Sequence, residues 1–151
     1  MEYLLDEIGH LRPRIESGYY QTIINRYSTA RSQNTLRTFA FKWQPYAWAA
    51  IMGFTNNRRR KLEGGTDSFG EFGIIKGRDG SPTVYKSLLM LVIAKEENWK
   101  KYLLEPGEYL KVIDEYANGG FDLISEMLEV KGEKYFDEFE NFLREIESRQ
   151  L

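Results

Sequence analysis

The sequence has no cysteine and only one histidine, His10. Without cysteine the chain can form no disulfide scaffold, no thiolate zinc site and no cysteine nucleophile. A single histidine excludes a histidine-rich metal site, and any Ser-His-Asp triad would have to use His10. These absences exclude several common classes of metalloprotein and hydrolase.

Long apolar runs and a basic N-terminal region are also missing. The longest apolar run, Leu88 to Ala94, is far shorter than the ~20 residues that span a bilayer. The first residues are acidic where a secretory signal would be basic. We therefore expect a soluble, cytoplasmic protein. Its 151 residues are enough for one domain with its own core.

Charge is unevenly distributed along the chain, whose net charge is −2. Residues 1–62 hold ten basic and four acidic side chains, residues 63–95 hold four of each, and residues 96–151 hold seven basic and fifteen acidic ones. The 46 residues from 17 to 62 contain eight cations, nine aromatics and no acid. Either this segment forms one positive surface for an anionic partner, or the acidic C-terminal helices pack beside it and neutralise it. The sequence leaves both arrangements open.

Apolar periodicity predicts a mainly α fold, a single-domain helical bundle of five to six helices that covers residues 1–151. The first helix has an apolar residue at every third or fourth position and ends near residues 17–18. A second helix begins at residue 28 or 29 and runs through Trp43, and a third extends from Pro45 to Phe54.

Residues 55–80 differ from the rest, with six glycines and only short apolar islands. We predict one long, basic, Gly-rich loop, with a small hairpin around Phe72 to Lys76 as an option. Ser81 followed by Pro82 is typical of a helix start. The helix that follows, from Thr83 to Glu97, is expected to be the most buried element because it is so apolar.

The last third of the chain predicts two further helices. One begins at Pro106, and the pair Gly119-Gly120 within it marks either a break or a point of close packing. The other is an acidic C-terminal helix over residues 132–149. It has more aromatic surface than an outer helix needs, supplied by Tyr135, Phe136, Phe139 and Phe142. This surface supports one functional hypothesis, a protein–protein adaptor that docks a partner through the acidic aromatic helix.

The basic and aromatic segment supports a different hypothesis, contact with nucleic acid. Arginine and lysine neutralise phosphates and release counterions, which supplies most sequence-independent affinity for DNA. The run 58–61 lies on a Gly-flanked loop, so its four cations can spread along a phosphate backbone. The predicted nucleic-acid-binding residues are Arg58, Arg59, Arg60, Lys61, Lys76, Arg78, Arg26 and Arg31. Alternatively, the run 58–61 is a solvated loop with no partner, and most of the aromatics belong to the protein core.

No catalytic constellation is found in the sequence. The glycines of residues 64–80 lack the Gly-Lys-Ser/Thr ending of a Walker-type nucleotide loop. Asp122 with Glu129 and Lys131 imitates the spacing of metal-dependent nucleases, but that chemistry needs carboxylates on adjacent strands, and these residues lie on a predicted helix. We expect a protein that is not an enzyme, with no catalytic residue, no metal and no cofactor.

Several segments resemble DndE, the small helical component of bacterial DNA phosphorothioation (DNA sulfur modification) systems. The similarity begins with residues 25–36 (NRYSTARSQNTL) and continues with an apolar helix that ends in residues 53–55 (GFT). It continues through residues 85–89 (YKSLL) and closes with the helix segment at residues 116–124 (YANGGFDLI). In all it covers about residues 23–128.

This resemblance implies a non-enzymatic subunit that recognises duplex or nicked DNA, forms a homo-oligomer and acts beside sulfur-transfer subunits in an antiviral defence complex. Residues 1–16 and 132–149 look like additions to the family pattern. The second helix also lacks the Asn-x-x-x-Arg segment that the family would have there. The charge distribution was interpreted without the resemblance and favours the same kind of partner.

Overall fold

A computed structural model describes residues 2–28 and 38–149 of the chain. The mainly α, single-domain fold is confirmed, and the described residues form six α-helices: α1 (Glu2–Ile8), α2 (Ser17–Tyr19), α3 (Trp43–Thr55), α4 (Pro82–Lys95), α5 (Pro106–Lys131) and α6 (Phe139–Arg149). A π-helical segment, Tyr20–Asn25, continues α2. Short 3-10 helices span Phe72–Lys76, Trp99–Tyr102 and Glu133–Asp137. Two short strands, β1 (Ile15–Glu16) and β2 (Thr66–Asp67), pair antiparallel.

The centre of the fold is the contact between α3 and α5, the most extensive one between any two described elements. The two helices approach closely because glycine leaves room for the opposing backbone. A Cβ at Gly120 would overlap the carbonyl oxygen of Ala49, and a Cβ at Gly119 would overlap that of Arg58. Helix α5 is continuous through both glycines. The glycine pair is therefore a point of close packing and not a break.

Helix α4 begins as predicted but is not the most buried element. The hydroxyl of Ser81 accepts a hydrogen bond from the backbone N–H of Val84 at 3.2 Å, which caps the helix. Fifteen of the 26 residues of α5 are buried, against five of the 14 in α4. The expectation for α4 is wrong because α5 contacts α1, α3 and α4 at once, whereas α4 leaves Met90 55% exposed.

The first helix is shorter than predicted. It ends at Ile8, and the chain then turns into β1. Pro13 excludes a continuous helix here, because proline has no N–H and restricts the preceding residue to extended conformations. The carbonyl oxygen of Leu11 instead accepts a hydrogen bond from the backbone N–H of Phe72 at 2.7 Å. The N-terminal segment is therefore held to the start of a distant 3-10 helix.

The predicted second helix is wrong over residues 38–42, which are not helical. The backbone N–H of Phe39 donates to the carbonyl oxygen of Tyr27 at 2.7 Å, and Ser28 and Phe39 form a parallel bridge. The N–H of Phe41 donates to the side-chain oxygen of Gln44, so neither N–H group makes a helical bond. Residues 29–37, which include Arg31 and the middle of the predicted helix, lie outside the described residues.

The optional hairpin around Phe72 to Lys76 is also wrong, because this segment is a 3-10 helix. The β-ladder forms instead between β1 and β2, two segments far apart in sequence, with Ile15 opposite Asp67 and Glu16 opposite Thr66. No helix within residues 2–28 and 38–149 has both the length and the apolar character that crossing a bilayer requires.

Candidate functional site

The basic run 58–61 begins at the end of α3. Asn57 adopts a left-handed conformation, with φ at 55°. The N–H of Arg58 donates to the carbonyl oxygen of Gly53 at 2.7 Å, and the N–H of Asn57 donates to that of Phe54 at 3.2 Å. This pair of bonds is the Schellman pattern that ends many helices, and asparagine tolerates the left-handed position. The turn directs the basic run along the side of α5.

Three arginines of the run form ion pairs, and most of their partners lie on α5. The guanidinium of Arg58 contacts Glu126 at 2.8 Å. Arg59 contacts Glu115 at 2.8 Å and also contacts Glu96. We call this set, with the pairs of Arg60 described next, the arginine ladder.

Arg60 makes the most contacts in the arginine ladder. Its Nε and one terminal nitrogen donate to the two carboxylate oxygens of Asp122 at 2.7 and 2.9 Å. The two terminal nitrogens donate to the carboxylate of Glu16 at 3.0 and 3.1 Å. The hydroxyl of Tyr19 donates to Asp122 as well. Such two-point pairs between arginine and carboxylate are the strongest ion pairs in geometry and energy.

Two acids of the arginine ladder, Asp122 and Glu16, have lowered pKa values. Burial favours the neutral form of Asp122, but the hydrogen bonds from Arg60 and Tyr19 outweigh it and lower the pKa of this carboxyl. Burial also favours the neutral form of Glu16. The hydrogen bonds from Arg60, from the N–H of Glu63 and from Asn118 outweigh this effect and lower the pKa of Glu16. The hydrogen bonds to Asp122 and Glu16 in turn raise the pKa of Arg60. The arginine ladder therefore joins three cations to five anions and has an excess of negative charge.

The other predicted cations have different surroundings. Lys61 is exposed, and no described carboxylate lies within 4.0 Å of it. Lys76 is exposed, with its Nζ 5.0 Å from the centre of the Tyr85 ring, and Arg78 is exposed in the following turn. Arg26 pairs with Asp137 at 3.2 Å. Of the seven predicted residues that the structure describes, four pair with carboxylates, Lys76 lies over an aromatic ring, and Lys61 and Arg78 are exposed; Arg31 lies outside the described residues.

A large open groove lies beside the end of the basic run. It has a volume of about 1250 Å³ and runs between the segment 10–14, the loop 61–68 and the first turns of α5. The cationic side chains that line it are Arg12, Arg14, Lys61 and Lys111, and His10 lines it as well. We call it the cationic groove. Only Lys61 among these residues was predicted from the sequence.

The four cations of the cationic groove have no ion-pair partner within 4.0 Å among the described residues. Four acids line the same groove: Asp67, Glu108, Asp114 and Glu115. The charge of Glu115 is compensated by Arg59, and Asp114 is largely buried. Equal numbers of cations and acids therefore line the groove, which differs from the arginine ladder in that its four cations make no contact within 4.0 Å with a described carboxylate.

Asp114 is the buried acid of the cationic groove, with 6% of the residue exposed. The hydroxyl of Tyr46 donates to its Oδ1 at 2.7 Å. Burial raises the pKa of Asp114 to about 7, although the Tyr46 hydroxyl and the backbone N–H and charge of Arg14 partly oppose the shift. Burial also raises the pKa of Tyr46, with a further contribution from the Asp114 charge. At neutral pH this carboxyl is therefore close to half protonated.

The aromatic surface predicted for the C-terminal helix packs largely within this chain. The ring of Phe142 lies 5.6 Å from that of Phe39 and 5.9 Å from those of Trp48 and Phe136. Phe142 is 3% exposed and Phe136 2%, while Phe139 keeps 36% exposure. Phe136 and Phe142 therefore belong to the core and offer no surface to a partner, whereas Tyr135 is half-buried and Phe139 is exposed.

No group of three or more His, Asp or Glu side chains that could hold a metal ion is present in the part of the chain that the structure describes. The structure therefore defines a mainly helical protein with one large groove, lined by four cations and four acids. Comparisons with family models, with curated proteins and with solved structures give no match for this chain.

The sequence contains a signal for part of the cationic groove that our prediction missed. Arg12 and Arg14 flank Pro13. Because proline stops the helix and keeps the preceding residue extended, the sequence predicts two cations on a non-helical segment. Lys111 gives no such signal, since it is one lysine in an acidic helix. Asp114 gives none either, because its burial results from contacts with residues far away in sequence.

Proposed function

We propose that this chain is a non-enzymatic, cytoplasmic DNA-binding protein that holds the phosphate backbone of duplex or nicked DNA in the cationic groove. One observation carries the proposal: Arg12, Arg14, Lys61 and Lys111 line a single groove, and none of them has a described carboxylate within 4.0 Å. Cations without internal partners are the groups that gain most from phosphate, because no existing ion pair has to be broken.

The arginine ladder has a supporting role in this proposal. A phosphate that approached Arg58, Arg59 or Arg60 would meet more carboxylates than guanidiniums. These arginines instead fix the loop against α5 and so position Lys61 at the groove. Lys76 and Arg78, which are exposed, remain candidates for a second phosphate contact.

The biological setting of the proposal comes from the resemblance to DndE. An accessory subunit of a bacterial DNA-modification or antiviral defence system needs affinity for DNA without catalysis, and the phosphorothioation systems contain such a subunit. Other subunits of that complex and further copies of this chain are the partners that this setting implies.

A salt titration tests the proposal. Fluorescence anisotropy with a labelled duplex of about 20 base pairs, intact and nicked, should show saturable binding at about 50 mM salt. Four phosphate contacts give a slope of log K against log salt of about −3 to −4. Each of the substitutions Arg12→Gln, Arg14→Gln, Lys61→Gln and Lys111→Gln should reduce that slope by about 0.9.

Lys134→Gln is the matched control, because Lys134 is exposed on the C-terminal 3-10 helix and does not line the groove. This variant should keep the wild-type slope. Absence of binding to both DNAs at low salt contradicts the proposal. An equal loss of slope in the control and in the groove variants contradicts the assignment of the groove.

A further inference from the structure

The cationic groove contains a proton-binding group that simple phosphate binding does not require. Asp114 lines the groove among the four cations and is held by the Tyr46 hydroxyl at 2.7 Å. A carboxyl placed among cations that serve only to attract phosphate would weaken them. Its position needs a reason beyond charge attraction.

The surroundings of Asp114 make its charge sensitive to an occupant. Tyr46 faces it from α3, Arg14 faces it from the segment before β1, and Glu115 is its neighbour on α5. The other charged or titratable side chains around the groove are His10, Arg12, Lys61, Asp67, Glu108 and Lys111. Burial raises the pKa of Asp114 to about 7. A further negative charge nearby raises the pKa of a carboxyl.

We propose that binding of a phosphodiester chain in the cationic groove is coupled to the uptake of a proton by Asp114. The inference rests on the proposed function and adds a regulation to the same site. The backbone phosphates disfavour the Asp114 carboxylate, and protonation removes this negative charge, which repels them. Glu115, the other buried acid of the groove, keeps its contact with Arg59. The proton comes from solvent, and no covalent bond other than the O–H bond is formed.

The sign of the coupling follows from linkage. Below pH 7 the carboxyl is already protonated and the affinity is constant. Above pH 7 the carboxylate must take up a proton for the chain to bind, so the affinity falls by up to about tenfold per pH unit. The fall ends above the pKa of the occupied state. The pH dependence therefore lies on the alkaline side of neutrality.

Two variants separate this effect from other titrations. Asp114→Asn keeps the shape of the side chain and an oxygen that can accept from Tyr46, but it takes up no proton. His10→Gln removes the histidine of the groove, since imidazoles also change charge near neutral pH. The pH dependence should persist in H10Q and disappear in D114N.

Binding is measured from pH 5.5 to 9 with the full-length chain and two probes: a DNA duplex without terminal phosphates, and inorganic tripolyphosphate. The difference between wild type and D114N cancels the protonation of the probe itself. Calorimetry in two buffers of different ionisation enthalpy counts the protons. At pH 7.5 the wild type should take up a fraction of one proton per site, and D114N none.

Tyr46→Phe gives a readout that a merely structural role would not change. It removes the hydroxyl that favours the carboxylate, so the alkaline fall in affinity should begin at a higher pH than in the wild type. This variant also keeps the test decisive if D114N fails to fold.

The outcomes distinguish the two proposals. If the duplex binds and its pH dependence is equal in wild type and D114N, the coupling is refuted while the DNA-binding proposal stands. If only tripolyphosphate binds, the DNA-binding proposal fails, and with it the coupling to a phosphodiester chain. If neither probe binds at low salt, both proposals fail.

Discussion

At the scale of single residues, Arg60 is the most highly connected cation of the chain's described part. It makes two-point contacts with Asp122 and with Glu16. These two acids belong to α5 and β1, so one guanidinium ties the central helix to the N-terminal segment. Both acids are mostly covered by protein, and each would lose its principal cation if Arg60 were removed.

We predict that Arg60→Gln lowers the free energy of unfolding by about 2 kcal/mol. This value lies between the 0–1 kcal/mol of exposed ion pairs and the 3–5 kcal/mol of fully buried ones, because Arg60 keeps 37% exposure. Urea denaturation measures it. Lys61→Gln is the control and should change the free energy by less than about 0.5 kcal/mol, since its side chain has no partner among the described residues. Equal effects at the two positions would refute the structural role of the arginine ladder.

At the scale of elements, α5 determines the arrangement of its neighbours. Backbone atoms of α3 fill the space beside Gly120, so the two helices meet without an intervening side chain there. A methyl group at this position has no flexible neighbour to displace, because the nearest atoms are the carbonyl group and Cα of Ala49.

We therefore predict that Gly120→Ala lowers the free energy of unfolding by about 3 kcal/mol or more. Gly107→Ala is the matched control in the same helix, because a Cβ at Gly107 meets no atom within 4 Å. That control should be neutral or slightly stabilising, since alanine restricts the unfolded chain. Thermal and urea denaturation of both variants measure the change in the free energy of unfolding. If G120A leaves this free energy unchanged, the close packing of α3 on α5 is contradicted.

The elements that the sequence predicted well are those with local signals. Ser81 and Pro82 start α4 by their own side chains, and Pro45 lies in the first turn of α3. Local signals do not determine the segment around Phe39, whose N–H bonds to the carbonyl oxygen of Tyr27, on the far side of the undescribed residues. Apolar periodicity predicted a helix there because it reflects only the spacing of apolar residues. It does not show which group each backbone N–H and carbonyl bonds to.

The site shows the same division. The basic run 58–61 is visible in the sequence, and the charge distribution also allows acidic helices to neutralise it. Its partners could not be named, because Glu115, Asp122 and Glu126 are 56 to 68 residues away in the chain. Tertiary packing determines whether an arginine faces solvent or a carboxylate. Charge counts and residue spacing give no information about that packing.

At the scale of the whole molecule, opposing titrations determine how stability depends on pH. Glu16 and Asp122 have lowered pKa values in the folded chain, so their contribution is present above the unfolded values of 4.5 and 3.8 and is lost as the pH falls further. Asp114 has a raised pKa of about 7. Its protonated form favours the folded state, and this contribution is lost as the pH rises from 3.8 to 7. Stability should therefore be highest near about pH 4 to 5 and should fall from there towards pH 7.

We predict that Asp114→Asn raises the free energy of unfolding by up to about 4 kcal/mol at pH 8, where the wild type must bury a carboxylate. Near pH 4 the two proteins should be equally stable, because the wild-type carboxyl is then protonated. Denaturation at a series of pH values measures the difference. Asp67→Asn, at an exposed acid of the same groove, is the control and should give a flat difference. A D114N difference that does not change with pH would contradict the raised pKa.

The attachment of the arginine ladder also bears on how the chain resists proteolysis. Four consecutive basic residues are ordinarily a preferred site for trypsin-like proteases, which need an extended, accessible backbone. Here the N–H of Arg60 donates to the carbonyl oxygen of Glu115 at 3.1 Å, and the side chain of Asn118 donates to the carbonyl oxygens of Arg60 and Lys61. A protease can accept this run only after it detaches from α5. Cleavage there consequently reports the detachment of the run from α5 and not the exposure of a loop.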